Sequence, residues 1–362
     1  MRRRRWGRGV RLALLTGALS LLLTGCTAHD AERDLRFGWP TGVTKQGEEM
    51  RVLWTWSGVA ALVVGVLVWG LIFWCCIRYR RRTPDAPLPR QTKYNLPLEI
   101  AYTIAPLLII AVLFARTVVV EDNVDALSKN PDVRIQVDAF KWNWQFEYHS
   151  YTDDSGTVHD TYYPGVTSQA DAAGNAEDKQ EGTTGNVTCN ESSSNDSFSC
   201  GASGTTNTNA ALYISTVGTD EEIPILVLPV NKSIRVVEHS EDVVHSFWVP
   251  EFLFKRDVIP YGTTNTGRDN QFEFTPTSTG SFVGRCAELC GTYHSEMNFE
   301  VRVVPDNVFI AYLAALTQIG PNDPARQYKA LQMAAMNPIA TTTHPFDTSR
   351  SNEKNSAPPG AG

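Results

Sequence analysis

The chain has 362 residues, with 39 Asp and Glu against 32 Lys and Arg, a formal net charge of −7. The charge is partitioned: residues 1–120 hold 17 basic and 7 acidic side chains, about +10, and residues 121–362 hold 15 and 32, about −17. A C-terminal part this acidic excludes nucleic acid as a partner and suits a basic, electrostatically steered protein.

Residues 1–25 read as an export signal. Arginines at positions 2, 3, 4, 5, 8 and 11 precede an apolar run from Leu12 to Leu23. The run ends in Leu23-Thr24-Gly25-Cys26, which resembles the lipobox of bacterial lipoproteins and implies cleavage before Cys26 and a lipid on its thiol. Residues 26–51 then form an exported N-terminal segment. Val52 to Ile77 is free of charge and long enough for a bilayer core of roughly 30 Å. Trp54, Trp56 and Trp74 lie near its ends, as aromatic belts do. Leu98 to Val120 is a second span, so residues 52–120 make a transmembrane hairpin. Its connection carries Arg78, Arg80, Arg81, Arg82, Arg90 and Lys93, which places that loop in the cytoplasm and both mature termini outside. The expected setting is a bacterial cell membrane, crossed twice, with the C-terminal domain extracytoplasmic.

Beyond the hairpin, short runs rich in β-formers follow one another. Residues 133–138 and 142–148 alternate at period two, and 223–230, 233–238, 245–249, 271–274, 281–285 and 298–304 are separated by turn residues. The expectation for 121–305 is an all-β Greek-key sandwich, with Pro224 and Pro229 limiting the pairing of one strand. Residues 152–209 interrupt it with a Gly-, Ser-, Thr-, Asn- and Asp-rich insertion whose centre has too few apolar side chains to order itself. Cys189 and Cys200 fall in that insertion, and a disulfide between them is the assignment an oxidising compartment favours. In 306–362 a short amphipathic helix, Asp306 to Gln318, precedes a polar tail.

The densest chemistry is Cys286-Ala287-Glu288-Leu289-Cys290-Gly291-Thr292-Tyr293-His294-Ser295-Glu296-Met297, with His245 upstream. Thiolate, thioether and imidazole together favour copper. A mononuclear blue-copper site needs one cysteine, so the second points to a pair of bridging thiolates shared by two metal ions. Two alternatives stand beside this. A Cys286–Cys290 disulfide leaves His294 and Met297 without a role, and a Cys2His2 zinc site has no use for Met297. Strand-like flanks and Gly291 predict a ligand loop between two strands, not a helix.

A lipobox, a helix hairpin, a β domain and a two-cysteine loop in that order resemble subunit II of haem-copper cytochrome c oxidase, in the lipoprotein form of actinobacteria. The motifs are Cys-x-Glu-x-Cys-Gly-x-x-His-x-x-Met at 286–297 and Val243-Val244-His245-Ser246-Phe247. The resemblance covers roughly 52–305, apart from the insertion, and implies a cupredoxin-like fold. It implies that His245, Cys286, Cys290, His294 and Met297 ligate a binuclear copper (CuA) centre, with the Glu288 carbonyl as the remaining ligand. It implies that the Glu288 carboxylate helps bind magnesium at the boundary with the catalytic subunit, a hard oxygen suiting a hard ion. Trp142 would be the electron-entry residue, while Trp144 reads as sandwich core. Asn143 stands where the family commonly has tyrosine, and Tyr261 where it has glycine after Pro260. Glu99, an acid at the start of a span, would admit protons to one uptake path. His149, His159 and His239 have no spacing partners and read as structural or surface histidines.

The implied function is the electron-entry subunit of a respiratory oxidase. It would take electrons from cytochrome c, or from a membrane-bound c-type cytochrome of a bc complex, and pass them to haem in subunit I. Residues 152–209 would dock that donor. Other readings differ at specific positions. A quinol oxidase subunit lacks the copper cysteines, and nitrous oxide reductase has a second large copper domain. A copper-delivery lipoprotein uses Cys-x-x-x-Cys with a distant histidine, but places proline where this chain has Gly291. No Cys-x-x-Cys-His is present, so the chain has no attachment motif for haem c.

Overall fold

The computed structural model describes residues 39–81, 83, 91–167, 188–191, 198–201, 211–219, 222–260 and 270–344. The expected signal, Cys26, Tyr261 and the centre of the insertion lie outside the described residues. Gly42–Gly362 form one compact unit, separate from Met1–Thr41.

Two long helices come first, α1 (Lys45–Arg78) and α2 (Leu96–Val124). At 34 and 29 residues they exceed the predicted spans at both ends, because polar caps extend them past the apolar core. With a rise of 1.5 Å per residue they run about 51 and 43 Å, more than a bilayer core requires. Apolar side chains cover them on all sides and stay exposed, as lipid contact demands. The chain is a two-pass membrane protein with its β domain on the extracytoplasmic side. At that end Asn123 donates to Glu49 across the two helices at 2.9 Å.

The start of α1 is tied directly to the β domain. Thr44 caps the helix by accepting from Gly47 N at 2.9 Å. Val43 N bonds to Glu251 O, Lys45 N to Thr275 O and Thr277 N to Val43 O, at 2.8–3.0 Å. Gly47 lies against the Phe252 carbonyl, where an added Cβ would stand at 2.7 Å. Only glycine permits that approach.

The β domain is a sandwich of two mixed sheets. Its strands are β1 (Val133–Phe140), β2 (Asn143–Thr152), β3 (Val158–Asp160), β4 (Tyr162–Thr167), β5 (Thr188–Glu191), β6 (Phe198–Gly201), β7 (Ala211–Val217), β8 (Ile225–Pro229), β9 (Ile234–Ser240), β10 (His245–Val249), β11 (Phe254–Val258), β12 (Gln271–Phe274), β13 (Gly280–Cys286) and β14 (Asn298–Val304). One sheet runs β12-β9-β1-β2-β7-β4 with β3 on β2, and the other runs β11-β10-β13-β14-β8. The parallel pairs β1/β9 and β8/β14 show that the chain crosses between sheets, so the fold is the expected two-layer sandwich after a helix hairpin. Trp144, Phe146 and Tyr148 alternate inward along β2 and are at most 1% exposed.

The insertion is narrower than composition predicts. Residues 152–167 complete β2 and build β3 and β4, and β4 pairs with β7. Tyr163, 2% exposed, supplies the apolar anchor that brings β4 into the sheet. Within the insertion β5 and β6 pair antiparallel, with Cys189 directly opposite Cys200.

The C-terminal region holds two helices where the sequence predicts one. These are α3 (Asp306–Ile319) and α4 (Arg326–Met333). Gln327 of α4 accepts from Ile225 N and donates to Ile223 O, both at 2.8 Å, which closes the free edge of β8. Residues 337–342 then strap across β14 on a buried Glu300–Arg302 pair. Residues 345–362 lie outside the described part.

Candidate metal centre

Three strand ends build the site. His245 is the first residue of β10, Cys286 is the last of β13, and Met297 immediately precedes β14. Phe247 pairs with Cys286 across the β10/β13 ladder. Cys286 N donates to Met297 O at 3.1 Å and Ala287 N to Ser246 O at 3.0 Å, which closes the base of the loop. Gly291, with φ of 124°, turns the chain back, and His294–Glu296 form a single 3-10 turn. The sequence expectation of a loop between two strands holds.

The donor atoms converge. Cys286 Sγ and Cys290 Sγ are 3.8 Å apart. His245 Nδ1 lies 3.8 Å from the first sulfur and His294 Nδ1 3.6 Å from the second. The Glu288 carbonyl is 3.3 Å from Cys286 Sγ, and Met297 Sδ is 3.9 Å from Cys290 Sγ. The tightest group is His245, Cys286 and Cys290, whose ligand atoms all lie within 4.8 Å of one another. His294 and Met297 reach only the Cys290 side.

Aromatic rings make the floor. Phe247 and Phe299 stack with centroids 4.8 Å apart, and Trp144 packs edge-on against Phe299 at 5.1 Å. Trp144 is fully buried, as expected, and its Nε1 donates to Met297 O at 3.2 Å. The rings are apolar and buried, and the Trp144 bond fixes the Met297 backbone beside the site.

The electrostatics call for a cation. The Cys290 thiol beside Cys286 holds the Cys286 pKa well below the ordinary thiol value, against burial, which acts the other way. The same neighbour, with burial, pushes Cys290 well up. The pair thus gives up one proton easily and holds the second, because two adjacent buried thiolates repel. A soft metal ion held by Cys286 and Cys290 would remove that obstacle by favouring both sulfurs as thiolates. The donor set of two thiols with imidazole and a thioether nearby fits a soft ion such as copper.

Asp242 is a functional residue that the sequence reading missed. Its Oδ1 is 2.8 Å from His245 Nε2, so the ring turns Nδ1 towards Cys286. Burial alone would lower the His245 pKa, but the bonds to Asp242 and Cys286 outweigh it and raise it. Burial would likewise raise Asp242, yet bonds from His245 and from the Val243 and Lys141 amides bring it down. Its place three residues before a ligand histidine does not by itself distinguish it from other loop acids.

Trp142 is half-buried against Gly291 and Tyr293. The Glu288 side chain is exposed at the loop tip. Glu99 lies far along the chain at the first turn of α2, where it accepts from Asn95 N at 3.1 Å while Asn95 caps Leu98 N. His149 stacks on Tyr213 at 3.9 Å, His159 bonds to Asp153 at 2.7 Å, and His239 is buried in β9.

Residues 205–304 match the family model described as cytochrome c oxidase subunit II, periplasmic domain. The probable cytochrome c oxidase subunit 2 of Nocardia farcinica is 42% identical over 360 residues, covering 96% of this chain and 90% of the relative. The chain belongs to the cytochrome c oxidase subunit II family. The probable subunit 2 of Mycobacterium leprae is 46% identical, with 95% and 93% covered, and the subunit 2 of Corynebacterium glutamicum is 40% identical, with 94% of each covered. Among solved structures, the periplasmic domain of subunit II from Bradyrhizobium japonicum is 26% identical, covers 53% of this chain and 99% of that one, and has a TM-score of 0.29. Membership makes the chain a non-catalytic subunit of a respiratory oxidoreductase, with an electron-transfer role beside a catalytic oxidase subunit in the membrane.

Proposed function

We propose that this subunit is the electron entry of its oxidase and that its site takes two copper ions. The supporting observation is the order imidazole–thiol–thiol–imidazole, His245, Cys286, Cys290, His294, at successive separations of 3.8, 3.8 and 3.6 Å. Each sulfur also has one weaker donor beside it, the Glu288 carbonyl or Met297. A binuclear copper centre (CuA) bound there would accept and release one electron at a time. The chain's own part is to hold the ligands rigid in both redox states, through the β10/β13 ladder and the aromatic floor.

Further roles belong to the same reading. Trp142 takes the electron from a reduced c-type cytochrome, soluble or anchored to a bc complex, and haem in subunit I receives it. The exposed Glu288 carboxylate contributes one oxygen to magnesium at the subunit boundary. Glu99 supplies protons at the start of α2, and its cap to Asn95 holds the carboxylate at that end. Cys26 carries the lipid, Cys189 bonds to Cys200, and the insertion docks the donor.

The compact group His245, Cys286 and Cys290 favours a second reading, in which a single copper ion is bound and His294 and Met297 take no part. That is the ligand set of a copper-delivery lipoprotein, and a chain without the pair would act as quinol oxidase subunits do. Copper stoichiometry and electron paramagnetic resonance of the full chain in detergent decide between them. Two coppers sharing one unpaired electron support the proposal. One copper, or none, overturns it.

A further inference from the structure

We infer that Tyr293 is a positioning residue for electron entry, supplying from the ligand loop the aromatic ring that position 143, beside Trp142, does not. The inference rests on reading Trp142 as the entry residue. Position 143, next to Trp142, is asparagine, and its side chain is committed elsewhere. Asn143 Oδ1 accepts from Trp144 N at 2.9 Å and faces Gly218, where an added Cβ would stand 2.2 Å from it. Asn143 therefore presents no ring to Trp142.

Tyr293 does. Its ring meets Trp142 edge-on, with centroids 4.9 Å apart and planes at 89°. The indole also rests on Gly291, where an added Cβ would lie 3.2 Å from Cζ2 and 3.3 Å from Nε1. Trp142 is thus gripped by two residues of one short loop, between the ligands Cys290 and His294. Tyr293 immediately precedes His294, so the contact fixes the indole relative to the metal ligands and not merely to the sandwich. Both rings are partly exposed, which leaves the pair at the surface an external donor must approach. Electron transfer falls steeply with distance, so a ring that holds Trp142 on Gly291 acts on the entry step without touching the metal. The donor loses one electron and the bound copper gains it, while neither ring is changed.

The test uses the assembled oxidase with Tyr293→Ala, Tyr293→Phe and, as a control, Trp142→Ala. Hydroxyl-radical footprinting read on the Trp142 peptide reports indole protection independently of turnover and of copper loading. Tyr293→Ala is expected to raise Trp142 oxidation and to lower kcat/KM for reduced c-type cytochrome about 3- to 10-fold, the scale of one aromatic pair. Copper content and the paramagnetic spectrum stay unchanged, and Tyr293→Phe behaves as the parent because the ring suffices. Parental footprinting and kinetics in Tyr293→Ala overturn the inference. So does a rate loss accompanied by loss of copper, which assigns Tyr293 to the site's folding. If Trp142→Ala itself leaves entry at the parental rate, the entry reading of Trp142 falls, a result separate from the footprint.

Discussion

The Asp242 carboxylate and the Cys286 sulfur lie on opposite nitrogens of the same His245 ring, at 2.8 Å from Nε2 and 3.8 Å from Nδ1. The carboxylate fixes which nitrogen faces the thiols. Asp242→Asn keeps the shape but removes the charge that holds Nε2–H. Copper affinity should fall about 10- to 100-fold, the usual cost of losing such a partner. Competition against a chelator on the full chain in detergent reads this directly, and unchanged affinity would assign Asp242 to the surface charge alone.

Glu300 and Arg302 form a buried pair at 2.6 Å that holds the C-terminal strap. The guanidinium donates to the Asn337 and Ile339 carbonyls, and the carboxylate accepts from the Thr341 and Thr342 amides. Arg302→Ala removes the cation beside a carboxylate that is 0% exposed, leaving the Thr341 and Thr342 donors to its other oxygen. The expected loss is about 3–5 kcal/mol, with residues 337–344 becoming open to protease. Thermal unfolding and limited proteolysis check both parts, and a strap that stays protected would refute the assignment.

Glu238, 1% exposed, has no hydrogen-bond partner on either carboxyl oxygen among the described residues. Burial pushes its pKa well up, Arg256 offsets this in part, and Asp257 adds to it. The folded chain thus keeps a proton that the unfolded chain loses near the ordinary value of about 4.3. Stability from the neutral acid is complete below that pH and drains away as pH rises through the folded pKa. Glu238→Leu should raise Tm at about pH 8 and leave it little changed at about pH 4. A fall in Tm at the higher pH would mean the carboxylate has a stabilising partner in the folded protein.

Gly284 pairs with Phe299 across β13 and β14, and an added Cβ would sit 2.0–2.2 Å from the phenylalanine ring. Phe299 in turn supports Phe247 and Trp144 beneath the ligands. Gly284→Ala should cost about 1–3 kcal/mol by overpacking and should shift the copper spectrum, since the floor must move. Destabilisation with an unaltered spectrum would show that the floor relaxes away from the metal centre.

Several features are legible along the chain because their cause is local. The apolar length of residues 52–77 and 98–120 reports two spans, and the alternation of Trp144, Phe146 and Tyr148 reports a strand with one buried face. Cys286, Cys290, His294 and Met297 stand within one loop, so their donor chemistry can be read before any folding is known. Trp144 as core and the strand flanks of the ligand loop follow from the same short-range patterns.

Other features arise only when strands and helices meet. Asp242 orients His245 because the turn after β9 swings it behind the ring, and no spacing rule distinguishes it from other loop acids. Tyr293 touches Trp142 across 151 residues of chain, a contact made by packing alone. The strands β3 and β4 are hidden in a polar composition until β2 and β7 pair with them. The partnership of Glu300 with Arg302 and the strap likewise depends on residues about 40 positions downstream folding back. Local pattern carries the donor set and the membrane crossings. The fixing of each donor's direction is a tertiary property, because it depends on groups distant in sequence being brought within hydrogen-bond or van der Waals range.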